Sequence, residues 1–119
     1  MIFPAHLQEE SNIIINAYIE ISRCEAELRY CYHHLVDTVW TRFNPYNTQL
    51  ARAQRLFRAV WQSRVEAEIA ALKLQCGLWC REQDLPSEMQ RQLQVIRNKT
   101  TMADRQMTTI WQNIRFYAE

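Results

Sequence analysis

The stretch Met89–Tyr117, MQRQLQVIRNKTTMADRQMTTIWQNIRFY, decides the fold because its apolar positions recur in an unbroken alternation of four and three residues. This alternation is the spacing of a coiled-coil-like seam along one side of an α-helix. The seam positions are Met89, Leu93, Ile96, Thr100, Ala103, Met107, Ile110, Ile114 and Tyr117. Ser87 and Gln90 match a capping box at the start, so we expect a helix over roughly 87–118.

Two further helical segments precede this one, separated from it and from each other by breaks at Pro86 and Asn44-Pro45. Each carries its own stripe at steps of three and four residues. The first stripe comprises Ile14, Ala17, Ile21, Cys24, Leu28, Cys31 and Leu35. The second comprises Leu50, Ala53, Phe57, Trp61, Val65, Ile69, Leu72, Cys76 and Trp79. We therefore predict helices over roughly 10–43 and 46–83.

The fold class follows from the shortage of turn-forming residues. The 119-residue chain contains one Gly and three Pro, too few for many short strands joined by tight turns. Short connections favour antiparallel neighbours, so the sequence predicts an all-α, elongated antiparallel three-helix bundle with coiled-coil-like packing, forming a single helical domain over 1–119. With the first turn near residue 45, residue k of the first helix should lie level with about residue 90 minus k of the second.

Several large apolar residues fall outside the three predicted stripes. They are Tyr18, Tyr30, Tyr32, Val60, Leu74, Leu78 and Trp111. This surplus predicts a second apolar surface, covered by a partner or by a second copy in a homodimer. The alternative is a kinked, more globular bundle that buries the surplus internally.

The four cysteines raise the question of a metal or redox site. Cys76 and Cys80 would stand one turn apart on a helix, with the only glycine of the chain between them. A zinc ion needs three or four converging ligands, but Cys24 and Cys31 lie about 10 Å apart along their helix and about 15 Å or more from the level of Cys76. We interpret the cysteines as packed thiols and predict no metal and no cofactor. An intersubunit metal site at Cys76 and Cys80 is left open.

The charges are unevenly distributed along the chain. Residues 8–37 contain six acids and two arginines, a net charge of −4, whereas residues 38–65 contain five arginines and no acid, a net charge of +5. Pairing the first two helices predicts a basic tip near the first turn, with Arg64 level with Glu25 and Glu27. The tip is rich in Arg and aromatic residues, which is typical of protein-binding hot spots. The predicted partner-binding residues are Trp40, Arg42, Tyr46, Arg52, Arg55, Arg58 and Arg115.

The sequence carries no glycine-rich phosphate loop, no H-E-x-x-H motif and no nucleophile elbow, so we predict no catalysis. It also lacks a secretory signal pattern and an apolar stretch long enough to span a bilayer, and we expect a cytoplasmic protein. The predicted function is that of a protein–protein interaction module, acting as an adaptor, an assembly or secretion chaperone, or an inhibitor. Its expected partner is an acidic or amphipathic-helical protein. The alternatives are a nucleic-acid-binding regulator that uses the basic-aromatic end, and a helical Cys/His metal-binding protein.

Overall fold

A computed structural model describes residues 7–36 and 47–118, with side chains over 7–36 and 48–113. Three helices, α1 (Gln8–Val36), α2 (Asn47–Leu78) and α3 (Ser87–Ala118), pack against one another, and a short 3₁₀ turn at Glu82–Asp84 precedes α3. The predicted all-α, elongated three-helix fold is confirmed. The body is only 20 × 18 Å across, which is the width of a bundle of helices lying side by side.

Contacts between side chains show the direction of the first two helices. The Glu27 carboxylate of α1 lies 3.2 Å from the Arg52 guanidinium of α2, and the Cys31 thiol lies 3.8 Å from the Gln49 side-chain oxygen. The later residue of α1 therefore contacts the earlier residue of α2, so these helices are antiparallel. This part of the predicted topology is correct.

The third helix runs parallel to the first. The Arg91 guanidinium lies 5.9 Å from the centre of the Tyr18 ring, and the Lys99 ammonium lies 3.8 Å from the Glu25 carboxylate. Residue numbers rise together along both helices in these contacts. The order is therefore up, down and up again, as expected for helices joined by short connections.

The register between α1 and α2 differs from the predicted one by about ten residues. Residue 27 meets 52 and residue 31 meets 49, so paired numbers add to 79 and 80 rather than to about 90. The prediction centred the paired residues of α1 and α2 on Pro45, whereas the observed pairs are centred on about residue number 40. Arg64 consequently does not lie level with Glu25 and Glu27, and the partner of Glu27 is Arg52.

The inner faces of α1 and α3 follow the predicted stripes. All seven predicted stripe residues of α1 are buried, and in α3 the stripe is buried from Met89 through Ile110. Ile114 and Tyr117 have side chains outside the described part. Burying these apolar side chains supplies the main favourable contribution to folding, about 1.5–3 kcal/mol for each large residue.

The inner face of α2 is not the predicted one. Most of its buried residues are small or lie off the predicted stripe; they are Ala53, Val60, Ala67, Ala70, Ala71 and Leu74. Of the nine predicted stripe residues, only Ala53 is buried, and Leu50 and Phe57 are half-buried. The prediction followed the larger side chains, but alanines line the interface with the other two helices.

The α2 helix ends at Leu78, five residues before the predicted end at 83, in a Schellman motif. The Cys80 amide donates to the Gln75 carbonyl at 3.0 Å, and the Trp79 amide donates to the Cys76 carbonyl at 3.3 Å. Trp79 occupies the left-handed position of this motif, with φ of 52°, where glycine is the usual residue. The chain then leaves the helix axis toward the 3₁₀ turn.

Gly77, near the end of α2, lies against Leu7, the residue that precedes α1. A Cβ atom at Gly77 would lie 2.8 Å from Cδ2 of Leu7, a residue that is itself buried. The glycine therefore leaves room for Leu7 at this end of the bundle. This contact ties the first described residue to the C-terminal end of α2.

One arginine of α3 joins three segments of the chain. The Arg97 guanidinium donates to both carboxylate oxygens of Glu68 in α2, at 2.7 and 2.9 Å, and to Glu82 in the 3₁₀ turn, at 2.9 and 2.5 Å. These hydrogen bonds lower the pKa of Glu68 and the pKa of Glu82 below the usual glutamate range. The Arg97 cluster fixes α2 against α3 on one side of the bundle.

The side chain of Gln90 holds the α2–α3 connection differently from the predicted capping box with Ser87. Its amide nitrogen donates to the backbone carbonyls of Gln83, at 2.9 Å, and Leu85, at 2.6 Å. The Gln90 backbone amide donates to the Pro86 carbonyl at 3.0 Å. Gln90 therefore closes the connection onto the first turn of α3.

Candidate functional site

The outer face of α2 carries large apolar side chains that no other described element covers. Six residues recur at steps of four and three and lie on the side opposite the buried alanines. We call them the outer stripe: Trp61, Val65, Ile69, Leu72, Cys76 and Trp79. All six are exposed, with 48% of Ile69, 59% of Leu72 and 95% of Trp79 accessible to solvent. The stripe runs for about 27 Å along the helix.

The outer stripe exists because α2 has two apolar faces. The buried residues Ala53, Val60, Ala67 and Leu74 follow one another at intervals of seven residues. This spacing keeps them on one face of α2, toward α1 and α3. Small side chains on that face meet the other helices, which leaves the bulkier residues to face solvent. A contiguous apolar face that no described element covers indicates a contact surface.

Three shallow grooves accompany the outer stripe. One lies where Phe57 and Trp61 of α2 approach Asp104 of α3. A second lies between α2 and α1, where Ile69 faces Ile13. A third lies at the C-terminal end of α2, and its lining residues are Leu72, Gln75, Cys76, Trp79 and Cys80. The surface is therefore a ridge of apolar side chains with depressions along it, suited to side chains of another molecule.

The charges beside the outer stripe are mainly positive. Within the described part of the chain, Arg55, Arg58 and Lys73 form no ion pair, and Arg64 places its guanidinium carbon 5.3 Å from the centre of the Trp61 ring. Two exposed acids border the same face, Glu66 of α2 and Asp104 of α3. Glu68 of α2 also lies near Arg64 but is paired with Arg97. Among the charges beside the stripe that form no ion pair within the described residues, four cations against two acids leave a positive excess. An arginine that stacks on an aromatic ring keeps its positive charge and can still bind a carboxylate.

Of the predicted partner-binding residues, the structure describes the side chains of three. Arg52 forms the 3.2 Å ion pair with Glu27, whereas Arg55 and Arg58 are exposed and lie beside the N-terminal end of the outer stripe. Trp40, Arg42 and Tyr46 lie outside the described residues. Arg115 belongs to α3, but its side chain is likewise outside the described part.

The four cysteines are free thiols in two different settings. Cys24 and Cys31 are buried in α1, as predicted, and burial, followed by a hydrogen bond to Glu20, raises the pKa of the Cys24 thiol to about 11. Burial also raises the pKa of Cys31. These thiols are poor nucleophiles, since the thiolate is the reactive form.

Cys76 was predicted to be a core residue on the same helical face as Cys80, and this is wrong. Cys76 is exposed on the outer stripe, and the helix ends before Cys80, although both residues line the third groove. The register places Cys76 beside the start of α1, far from Cys24. Among the described residues, no group of three or more histidines, cysteines or acids could hold a metal ion.

The sequence interpretation missed the outer stripe because it assigned those residues to the core. The signal that distinguishes the two faces is present in the sequence, in the seven-residue spacing of Ala53, Val60, Ala67 and Leu74. Val60 and Leu74 were counted as surplus, yet both are fully buried. Of that surplus set, Tyr30 and Trp111 are exposed.

The fold and this face define the protein as an elongated all-α three-helix bundle with an exposed apolar ridge on its second helix. No helix within the described part is both long enough and apolar enough to cross a membrane. No protein-family model, curated protein or solved structure matches the chain.

Proposed function

We propose that the protein is a non-catalytic protein–protein interaction module that binds a partner protein through the outer face of α2. An adaptor, an assembly or secretion chaperone and an inhibitor all act in this way. The observation that carries the proposal is the outer stripe itself, five exposed residues along α2 and exposed Trp79 directly after the end of the helix. Contiguous apolar patches of this kind mark interaction sites, whereas isolated exposed apolar residues do not.

The residue types suit a protein interface. Trp61 and Trp79 offer large ring surfaces, and Arg58 and Arg64 lie beside Trp61. Trp and Arg are enriched among residues that dominate binding energy. Covering Ile69 or Leu72 would remove apolar surface from water at a gain of about 25 cal/mol per Å² before the costs of association. Arg55 and Arg58 extend the contact toward the basic tip predicted from the sequence. The other residues predicted to bind the partner at that tip remain candidates: Trp40, Arg42, Tyr46 and Arg115.

Nucleic acid is the competing ligand, since arginines beside aromatic rings can bind a phosphate backbone and stack bases. The aliphatic middle of the outer stripe offers neither contact. Val65, Ile69 and Leu72 fit an apolar protein surface better than a charged backbone. A strong decline of affinity with salt would identify a phosphate ligand.

Native mass spectrometry of the protein isolated gently from its host tests the proposal. The wild-type protein is compared with Leu72→Asp, which puts a charge in the outer stripe, and with Tyr30→Asp, a matched change at an exposed position of α1. We expect the wild type and Tyr30→Asp to retain the same co-isolated protein and Leu72→Asp to lose it. Retention by Leu72→Asp, or nucleic acid as the bound component, would contradict the proposal.

A further inference from the structure

We propose that the occupant of the outer stripe is an amphipathic helix of the partner protein, with acidic residues on both sides of its apolar face. This inference rests on the proposed function and specifies the chemistry of the partner. It depends on two properties of the surface, its helical shape and its charge.

The shape of the surface favours a helix. The outer stripe follows α2 from Trp61 to Cys76 and ends at Trp79, directly after the helix, about 27 Å in all. A second helix lying alongside can therefore place apolar residues against it at successive turns. The grooves at Trp61 and at Ile69 lie on opposite sides of α2, toward α3 and α1. They would receive side chains at positions i, i+3 or i+4, and i+7 of the bound helix. An extended strand would require a free sheet edge, and none exists within the described residues.

The charge of the surface selects acidic side chains. Arg55, Arg58 and Lys73 have no ion-pair partner among the described residues, and Arg64 is already held against Trp61. Arg55, Arg58 and Arg64 lie toward the N-terminal end of the outer stripe, and Lys73 lies in its C-terminal half. Glutamates or aspartates that flank the apolar positions of a bound helix would reach them on both sides.

The same charges disfavour a second copy as the occupant. Packing one outer stripe against another would bring four cations and two acids against an identical set. The net positive charge on each side would repel the other copy across the interface, which costs affinity. An acidic helix would meet four cations and two acids, so its net electrostatic interaction with the face would be attractive.

Trp79 marks one end of the docking surface. Its indole is 95% exposed, although its backbone is held in the left-handed region that disfavours a bulky residue. Strained backbone is found most often where a side chain must be presented for binding. One end of the bound helix would therefore lie near Trp79 and the other end near Arg58, in either direction.

Synthetic peptides test the inference on the full-length protein. Three helical peptides of about 18 residues share one set of leucines at the seam and carry Glu, Gln or Lys at the flanking positions. Binding is measured by fluorescence anisotropy. We expect the Glu peptide to bind at least about tenfold more tightly than the Lys peptide, with the Gln peptide between them and the difference shrinking as salt rises.

Protein variants locate the effect. Arg55→Gln, Arg58→Gln and Lys73→Gln combined should remove most of the preference for the Glu peptide, while Arg105→Gln, at an exposed position of α3, should leave it unchanged. Equal binding of the Glu and Lys peptides would overturn the inference. So would concentration-dependent dimerisation that Ile69→Asp abolishes, because the occupant would then be a second copy. Tighter binding of single-stranded DNA than of the Glu peptide would overturn it in favour of nucleic acid.

The failure of this inference is distinct from failure of the proposed function. If no peptide binds but the co-isolated partner still depends on Leu72, the interaction face stands and the acidic helix is wrong. If the partner does not depend on Leu72 either, both proposals fail.

Discussion

At the residue scale, Trp79 combines an unfavourable backbone with nearly complete exposure of its side chain. Residues with a Cβ atom pay roughly 1–2 kcal/mol to adopt the left-handed conformation, and glycine does not. The tryptophan therefore weakens the end of α2. The two hydrogen bonds of the Schellman motif offset part of this cost, and the exposed indole lines the third groove.

Replacing Trp79 with glycine should stabilise the protein by about 1 kcal/mol and weaken partner binding. Urea denaturation measures the first effect and the native complex the second. Trp79→Ala is the matched control, since it removes the indole but keeps a Cβ atom in the left-handed position, and it should bring little or no gain in stability. Equal stability of the glycine and alanine variants would show that the backbone at residue 79 is not strained.

Individual residues show what a sequence can and cannot predict. The burial of Cys24 and Cys31 was predictable because both lie on a stripe with large apolar neighbours. The pairing of Arg52 with Glu27 was not, because it depends on the register between α1 and α2. That register did not follow from the position of Asn44-Pro45, since the observed pairs add to 79 and 80 rather than to about 90.

At the element scale, α2 determines both the packing and the surface of the molecule. Its alanines contribute little to a hydropathy pattern, so its large residues dominated the prediction and were assigned to the wrong side. The stripes of α1 and α3 were predicted correctly because the buried faces of these helices carry large apolar residues, such as Ile21 and Ile96, rather than mostly alanines. For a helix with two apolar faces, only the three-dimensional packing shows which face is buried.

The two faces of α2 can be distinguished by a pair of aspartate substitutions. Leu74→Asp should unfold the protein, because it buries a charge without a partner on the inner face. Ile69→Asp should change the free energy of unfolding by less than about 1 kcal/mol, since Ile69 already contacts solvent. Circular dichroism during urea unfolding measures both. If Ile69→Asp unfolds the protein while Leu74→Asp does not, the assignment of the faces is reversed.

The Arg97 cluster predicts a loss of stability in acid. The pKa values of Glu68 and Glu82 are lower in the folded protein than in the unfolded chain, where glutamate has a pKa of about 4.3. The unfolded chain therefore binds more protons in this range. The stabilisation is complete above about pH 4.5 and is lost as the pH falls through the lowered values.

Urea midpoints measured between pH 7 and pH 3 test this expectation. The double variant Glu68→Gln, Glu82→Gln should lose less stability on acidification than the wild type. Glu88→Gln is the control, because Glu88 also pairs with an arginine, Arg91, but at an exposed site where solvent screens the interaction. An identical pH dependence of wild type and double variant would show that the cluster contributes nothing to stability.

At the scale of the whole molecule, the order and direction of the helices were predictable, since short connections leave few alternatives for three long helices. The placement of the contact surface was not. The sequence suggested a basic tip at one end of the bundle, while the described residues show an apolar ridge along the side, with Arg55 and Arg58 at its N-terminal end. Charge and hydropathy along the chain indicate that a surface exists, but only the packing of α2 shows where it lies.

The reaction of Cys76 with iodoacetamide tests most directly whether the outer stripe is the partner-binding face. Cys76 is a native reporter in the middle of the C-terminal half of the stripe, and buried Cys24, with its raised pKa, is an internal control. In the isolated protein, Cys76 should react quickly and Cys24 slowly. In the intact complex with the partner, the reaction of Cys76 should slow severalfold and that of Cys24 should not quicken. An unchanged rate at Cys76 in an intact complex would show that the partner binds elsewhere.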